Sequence, residues 1–229
     1  NMCAAMIDRF GAAEMKARVL PSVCRMDRVL SYCLTEPGSG SDAAALRTRA
    51  EPDGDGWRLT GTKAFISGGG YSDAYIVMAR TGADGPRGIS AFLVEADAPG
   101  LSFGGLEQKM GWRAQPTRQV QMDGVPVGRA DLIGEEGRGF AYAMAGLDGG
   151  RLNIAATALG GSQAAFDATL SYMAERHAFG QALNQFQALQ FRLADMATRL
   201  EAARLFLRHA AWKLDTNAPF ATVSCAMAK

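Results

Sequence analysis

Two histidines in 229 residues, four widely scattered cysteines and no surplus of either charge are the scarcities of this sequence. Cys3, Cys24, Cys33 and Cys225 form no C-x-x-C pair. With so few imidazoles to join them, no zinc or iron centre is expected and no metal ligand is assigned. The same scatter offers no disulfide framework, so a reducing compartment is the default and secretion is not expected. Twenty-four basic residues face 23 acidic ones, leaving a net charge of +1. Without a basic field, neither nucleic acid nor an anionic membrane is an expected partner. No run of about 18 apolar residues offers a candidate membrane helix. No G-x-G-x-x-G joins a strand to a helix, and no glycine-rich turn ends in Lys-Ser or Lys-Thr, so Rossmann and P-loop sites are not expected. What is present is 48% hydrophobic and 21% charged residues, an ordinary globular composition.

Three zones follow one another. Residues 1–30 carry helical spacing (Met2, Met6, Ile7, Phe10), with Gly11 and Pro21 as punctuation. Residues 31–135 change to short β-rich runs, predicting strands at 31–35, 57–60, 64–67, 74–80, 89–95 and 117–122. Asp53-Gly54-Asp55-Gly56 and Asp84-Gly85-Pro86 mark turns. Strands without intervening helices predict an antiparallel barrel or sandwich, and the chain as a whole reads as α+β. Residues 136–229 return to helical spacing. One helix is expected over 139–176, stopped by Phe179-Gly180, a second over 184–214, and a third begins after Pro219. The stripe Leu189, Leu193, Met196, Leu200, Leu207 is expected to be core between helices. Both ends read as cut within helical patterns.

Four segments invite a chemical reading. Tyr32-Cys33-Leu34-Thr35-Glu36-Pro37-Gly38-Ser39-Gly40-Ser41-Asp42 passes from a β run into small residues, a loop able to line a cofactor with amides and hydroxyls. Lys63-Ala64-Phe65-Ile66-Ser67-Gly68-Gly69-Gly70 is either a barrel strand with a flexible exit or a wall that sets Phe65 against a flat ring beside the Ser67 hydroxyl. In Asp148-Gly149-Gly150-Arg151, two glycines inside a helix cost about 1 kcal/mol each relative to alanine. They fit either close backbone packing or a thin ligand along the helix, with Asp148 and Arg151 reaching its polar groups. Arg176-His177-Ala178-Phe179-Gly180, followed by Phe186-Gln187, closes the set; by itself Arg176 would only complement a helix dipole.

In this order the segments resemble the acyl-CoA dehydrogenase family, and with Gly111–Arg118 and Asn1-Met2-Cys3-Ala4 the resemblance covers essentially the whole chain. It implies an α+β fold with a central antiparallel β-barrel domain (31–135), preceded by the end of a helical domain (1–30) and followed by an incomplete C-terminal helical bundle (136–229). It implies FAD, contacted by Tyr32, Cys33, Leu34, Thr35, Gly40, Ser41, Phe65, Ile66 and Ser67, with Ser67 donating near flavin N5. The Arg-x-x-Phe-Gly…Gln pattern implies that Arg176, Phe179, Phe186 and Gln187 serve FAD phosphate or adenine groups across a subunit interface. Ser41, Asp148, Gly149, Gly150 and Arg151 fall where the family holds the acyl-CoA and its pantetheine arm.

The implied reaction is α,β-dehydrogenation of a short branched acyl-CoA, isobutyryl-CoA favoured, as in valine degradation. Electrons would pass to electron-transfer flavoprotein, from a homotetramer in the bacterial cytoplasm or the mitochondrial matrix. That chemistry needs a glutamate base. Gly150 stands where a minority of the superfamily carries one. Glu36, Glu135, Glu136, Glu175 and Glu201 are not convincing bases. The base is therefore expected beyond Lys229, and the 229 residues alone are expected to be inactive. The alternatives are an acyl-CoA oxidase, a short straight-chain dehydrogenase, and a non-catalytic or nucleic-acid-binding member of the fold.

Overall fold

The computed structural model describes residues 2–229, and Asn1 lies outside the described residues. Helix α1 (Met2–Phe10) buries Cys3, Met6 and Ile7, and α2 (Ala13–Cys24) buries Met15, Val19 and Val23. Three- and four-residue spacing puts each set on one stripe of its helix. Gly11 separates the two helices, its N–H donating to the Ile7 carbonyl at 2.7 Å. Pro21 does not act as punctuation, because it lies inside α2. Near the helix end its ring removes a single backbone bond, and its carbonyl still accepts from Arg25 N at 3.2 Å.

Seven strands form one sheet: β1 (Leu30–Cys33), β2 (Arg49–Asp53), β3 (Gly56–Ser67), β4 (Ala74–Arg80), β5 (Ile89–Glu95), β6 (Leu101–Phe103) and β7 (Thr117–Val127). Their order is β1-β4-β2-β3-β7-β6, with β5 paired to β4. The runs expected at 57–60 and 64–67 are one twelve-residue strand, β3, whose register against β7 shifts between Leu59 and Gly61 and again between Lys63 and Ile66. The α+β class holds, but the sheet is mixed. β1 runs parallel to β4 from Leu30↔Ala74 to Cys33↔Val77, and Arg49 meets Arg80 in the same sense. Some forty residues separate β1 from β4, and a connection of that length permits a parallel pair where a hairpin would not.

Alternation turns Trp57, Leu59, Ile66, Tyr75, Val77, Phe92, Val94 and Val120 into one buried cluster. Trp57 and Phe92 meet with ring centroids 5.3 Å apart. Full burial of each large apolar side chain stabilises the fold by about 1.5–3 kcal/mol.

The chain divides into two compact units within helix α3 (Gly139–Glu175): one extends to Gly146, the other runs from Leu147 to Lys229. After α3 the second unit holds a small hairpin, β8 (His177–Ala178) and β9 (Gln181–Ala182), then α4 (Gln187–Asp215) and α5 (Ala221–Ala228). Phe179 and Gly180, both at positive φ (51° and 81°), are the two-residue turn of that hairpin, the geometry that matches strand twist. Helix α4 begins three residues later than expected because Leu183–Gln185 forms a 3-10 turn. The stripe Leu189, Leu193, Met196, Leu200, Leu207 is not buried core within this chain. Met196 is 45% exposed, and Met196, Leu200 and Leu207 line a groove of about 600 Å³ with Leu159 and Phe166 of α3. The helical period reported one apolar face correctly, but no helix of the described residues covers it.

Candidate functional site

In the first unit the loop after β1 is ordered by its own bonds. Glu36 N donates to Ser39 O at 2.9 Å, Ser39 N returns a bond to Glu36 O at 3.1 Å, and Ser39 Oγ donates to Asp42 O at 2.6 Å. The hydroxyls of Thr35 and Ser41 take no partner among the described residues. A Cβ added to Gly38 or Gly40 would meet nothing within 4 Å, and neither glycine has a positive φ. The chain itself therefore does not require glycine there, and the space before the loop stands open. Cys33, Leu34 and Ile66 are buried, so these three present main chain rather than side chain. Burial pushes the Cys33 thiol far above its ordinary value, with Lys63 lowering it only in part, which makes it inert as a nucleophile. Tyr32 Oη donates to Ala143 O at 3.3 Å, and burial pushes the pKa of its hydroxyl up as well.

Strand β3 supplies the second wall. Between Lys63 and Ile66 its register against β7 slips, so Ala64 and Phe65 face a single residue of the partner, a β-bulge. Phe65 takes φ 57° and leaves its ring 66% exposed. A left-handed conformation costs a bulky residue about 1–2 kcal/mol, and such strain gathers at functional positions. Two residues on, Ser67 is exposed with its hydroxyl unpartnered among the described residues.

The glycine exit beyond Ser67 is pinned by hydrogen bonds. Gly70 N donates to Tyr75 Oη at 2.9 Å, Tyr75 Oη donates to Gly68 O at 3.3 Å, and Gly68 N donates to Pro116 O at 2.7 Å. Gly68 has φ 81°, and a Cβ there would lie 2.4 Å from Ser72 Oγ and 2.5 Å from Ser31 Oγ. Gly68→Ala is expected to destabilise the fold by about 2–4 kcal/mol from strain and overpacking, read as a drop in the denaturation midpoint. An unchanged midpoint would show that this corner has room to relax.

Beneath both walls lies a buried ion pair that the sequence reading passed over. Lys63 Nζ donates to Glu36 Oε1 at 2.9 Å and to Leu34 O at 3.2 Å, and the Lys63 side chain is fully buried. The Glu36 carboxylate also accepts from Arg47 N at 2.7 Å, Thr48 N at 2.9 Å and Thr48 Oγ1 at 2.5 Å. Burial alone would raise the Glu36 carboxyl. The Lys63 charge and these hydrogen bonds outweigh it and hold the group below the ordinary carboxylate range. The signal was available: Lys63 sits in phase with inward-facing Trp57 and Leu59 of its strand, where a lysine needs a buried partner.

The second unit holds the remaining candidates. Asp148 is buried with both oxygens engaged, Oδ1 by Arg151 Nη1 at 2.5 Å and Oδ2 by Thr222 Oγ1 at 2.7 Å. The carboxylate thus ties α3 to α5, and of the two residues Arg151 retains free donors. Gly149 has open space at its Cβ position, and Gly150 lies beside it in α3. Arg176 is exposed just after α3, without a side-chain partner among the described residues. Phe179 is 97% exposed on the hairpin turn, with its ring 6.4 Å from Phe186, edge to face. Gln187 is the exposed first residue of α4. Arg176, Phe179, Phe186 and Gln187 therefore come together around one hairpin. Among the described residues no group of three His, Cys, Asp or Glu could hold a metal ion, and no helix is long and apolar enough to cross a membrane.

Residues 31–125 match the family described as acyl-CoA dehydrogenase, middle domain, and residues 137–229 match acyl-CoA dehydrogenase, C-terminal domain. The mitochondrial isobutyryl-CoA dehydrogenase of Dictyostelium discoideum is 54% identical over all of this chain. Butyryl-CoA dehydrogenase of Megasphaera elsdenii superposes with a TM-score of 0.93 over 99% of the chain at 40% identity. A structure of PigA with FAD and proline superposes with a TM-score of 0.92 over 99% of the chain at 32% identity. The chain spans 55% of the length of the first of these proteins, 60% of the second and 59% of the third.

Proposed function

The chain belongs to the acyl-CoA dehydrogenase family, and from that premise we propose that it is the FAD- and thioester-holding portion of an enzyme that desaturates a short branched acyl-CoA, isobutyryl-CoA favoured. The observation that carries this is the strained, outward Phe65 beside the free hydroxyl of Ser67, an aromatic face and a donor set for one edge of a flat heterocycle. The residues fit FAD. Glycines that nothing in the chain requires stand before open space at Gly38 and Gly40, and unpartnered hydroxyls stand at Thr35, Ser41 and Ser67.

When bound, FAD would supply the acceptor for the hydride leaving the substrate β-carbon. The side chains do the rest. Ser67 Oγ donates to a ring nitrogen, Thr35 Oγ helps fix the ring edge, and Phe65 shields the ring from water. Tyr32, Gly40 and the main chain of Cys33, Leu34 and Ile66 complete the wall. Across a subunit interface, the guanidinium of Arg176 would suit a pyrophosphate of FAD through paired donors, with Gln187, Phe179 and Phe186 around the adenine end. In the first unit Ser41 would meet the acyl-CoA; in the second, Gly149, Gly150 and Arg151 would take its pantetheine arm, with Asp148 orienting Arg151.

Removal of the α-proton requires a carboxylate within about 3 Å of it. Glu36 is disqualified by burial and by its four donors. The base is proposed to be a carboxylate outside these 229 residues, in which case the chain alone should give no turnover. Zones 1–30, 31–135 and 136–229 would be three domains of a homotetramer that passes electrons to electron-transfer flavoprotein, in the mitochondrial matrix of a eukaryote or the cytoplasm of a bacterium.

The first test is colour: purified protein should carry, or take up, FAD and absorb near the flavin bands. A protein that stays colourless with added FAD would end this reading. In an enzyme that includes the base, anaerobic bleaching with isobutyryl-CoA ahead of butyryl-CoA would support the branched substrate, and the reverse order would favour a straight one. Hydrogen peroxide formed during turnover would indicate an oxidase instead.

A further inference from the structure

We propose that the buried Glu36–Lys63 pair is a positioning device that holds Thr35 and Phe65 in their ring-receiving arrangement before FAD arrives. The inference rests on the FAD reading above, and neither residue would touch the cofactor itself. Each is placed to act on a residue that would: Glu36 directly follows Thr35, and Lys63 precedes the bulge that carries Phe65.

A buried ion pair is a poor source of net stability, since both charges lose their hydration and apolar residues of equal volume often serve as well. What charge-assisted hydrogen bonds add is direction. The Glu36 carboxylate fastens the loop to Arg47 N and Thr48 N, and Lys63 Nζ fastens both the carboxylate and Leu34 O to β3. One residue further along each segment, Ala64 N donates to Thr35 O at 2.8 Å. The two walls are thereby tied at three successive loop positions, 34, 35 and 36.

The bulge needs this. Phe65 at φ 57° would relax toward an ordinary strand conformation unless both flanks were held. Its far flank is fixed where Ser31 Oγ donates to Ser67 O at 2.5 Å and Gly68 N donates to Pro116 O. Its near flank is fixed by Lys63. A further brace is Arg80, which donates to the carbonyls of Ala44 and Leu46 and to those of Ala83 and Gly85 in the turn after its own strand. Every bond of this frame is made by the chain's own groups, and a wall held in that way would keep the affinity lost to ordering small.

Two variants test it. Lys63→Met removes the ammonium. The double variant E36Q/K63M removes both charges, and the single amide oxygen of the introduced glutamine replaces only one of the two carboxylate oxygens that accept from Arg47 N and Thr48 N. In the purified protein the double variant should still fold and melt cooperatively as apoprotein, somewhat below the parent because one backbone N–H is left unpaired, and bind FAD about tenfold more weakly. It should also shift the visible flavin spectrum and raise amide exchange at 34–36 and 63–67. If K63M does not fold, the double variant carries the comparison alone. Parent-like FAD affinity, spectrum and exchange in the double variant would overturn the positioning role and reduce the pair to packing. A parent protein that takes up no FAD would overturn the flavin reading and this inference with it, so the two failures are distinct.

Discussion

Glu36→Ala is expected to cost about 3–5 kcal/mol of folding stability, the loss typical of a buried ion pair broken on one side. The substitution leaves the fully buried Lys63 ammonium with only the Leu34 carbonyl as acceptor. It also orphans the Arg47 and Thr48 N–H groups that the carboxylate satisfies. A typical domain has only about 5–15 kcal/mol in hand, so the variant should unfold at far lower denaturant than the parent. A loss below about 1 kcal/mol would mean that water reaches the lysine.

The same pair sets an acid limb. Although burial opposes it, the Lys63 charge and hydrogen bonds from Lys63, Thr48 and Arg47 hold the Glu36 carboxyl below its unfolded value. Its contribution is therefore complete above the unfolded carboxyl value and disappears as pH falls through the lower folded one. Burial depresses the Lys63 ammonium, and Glu36 offsets this only in part. Between the folded and unfolded lysine values, stability therefore rises with pH. Melting temperature against pH should fall steeply in acid for the parent and more gently for Glu36→Gln. Identical acid limbs would remove Glu36 from the account.

Phe65→Gly is expected to move stability and cofactor affinity in opposite directions. Glycine adopts the positive φ freely, and little burial is lost because the ring is already 66% exposed. The apoprotein should gain about 1 kcal/mol. FAD should bind at least about tenfold more weakly, because aromatic contact with a flat ring is removed. Thermal melting without cofactor and a fluorescence titration with FAD read the two effects separately. A variant that loses stability would show the ring to be packing rather than a presented face, and one with unchanged FAD affinity would remove Phe65 from the site.

Local signals carried much of this. Short β-rich runs between turn residues located β4, β5 and parts of β3 and β7, and helical spacing located α3 and α4 within a few residues, because strand-forming composition and the helical period are both local signals. The small-residue loop at 36–42 announced itself by composition. The bulge did not: Phe65 reads in sequence like any strand aromatic, and its outward turn comes from a register slip against β7. The burial of Lys63 showed only as a misplaced charge in an alternating strand, and the engagement of Asp148 by Thr222, 74 residues away, left no local trace.

The sequence alone therefore determined the succession of helical, β and helical zones, the glycine-opened loop and the family wording of the motifs, since each depends on neighbours within a few residues. Only the tertiary structure decided that β1 lies parallel to β4, that Glu36 and Lys63 neutralise one another beneath the loop, and that Phe65 is turned outward. Those depend on which distant segments meet, and a period or a motif fixes the face of a segment but not its partner.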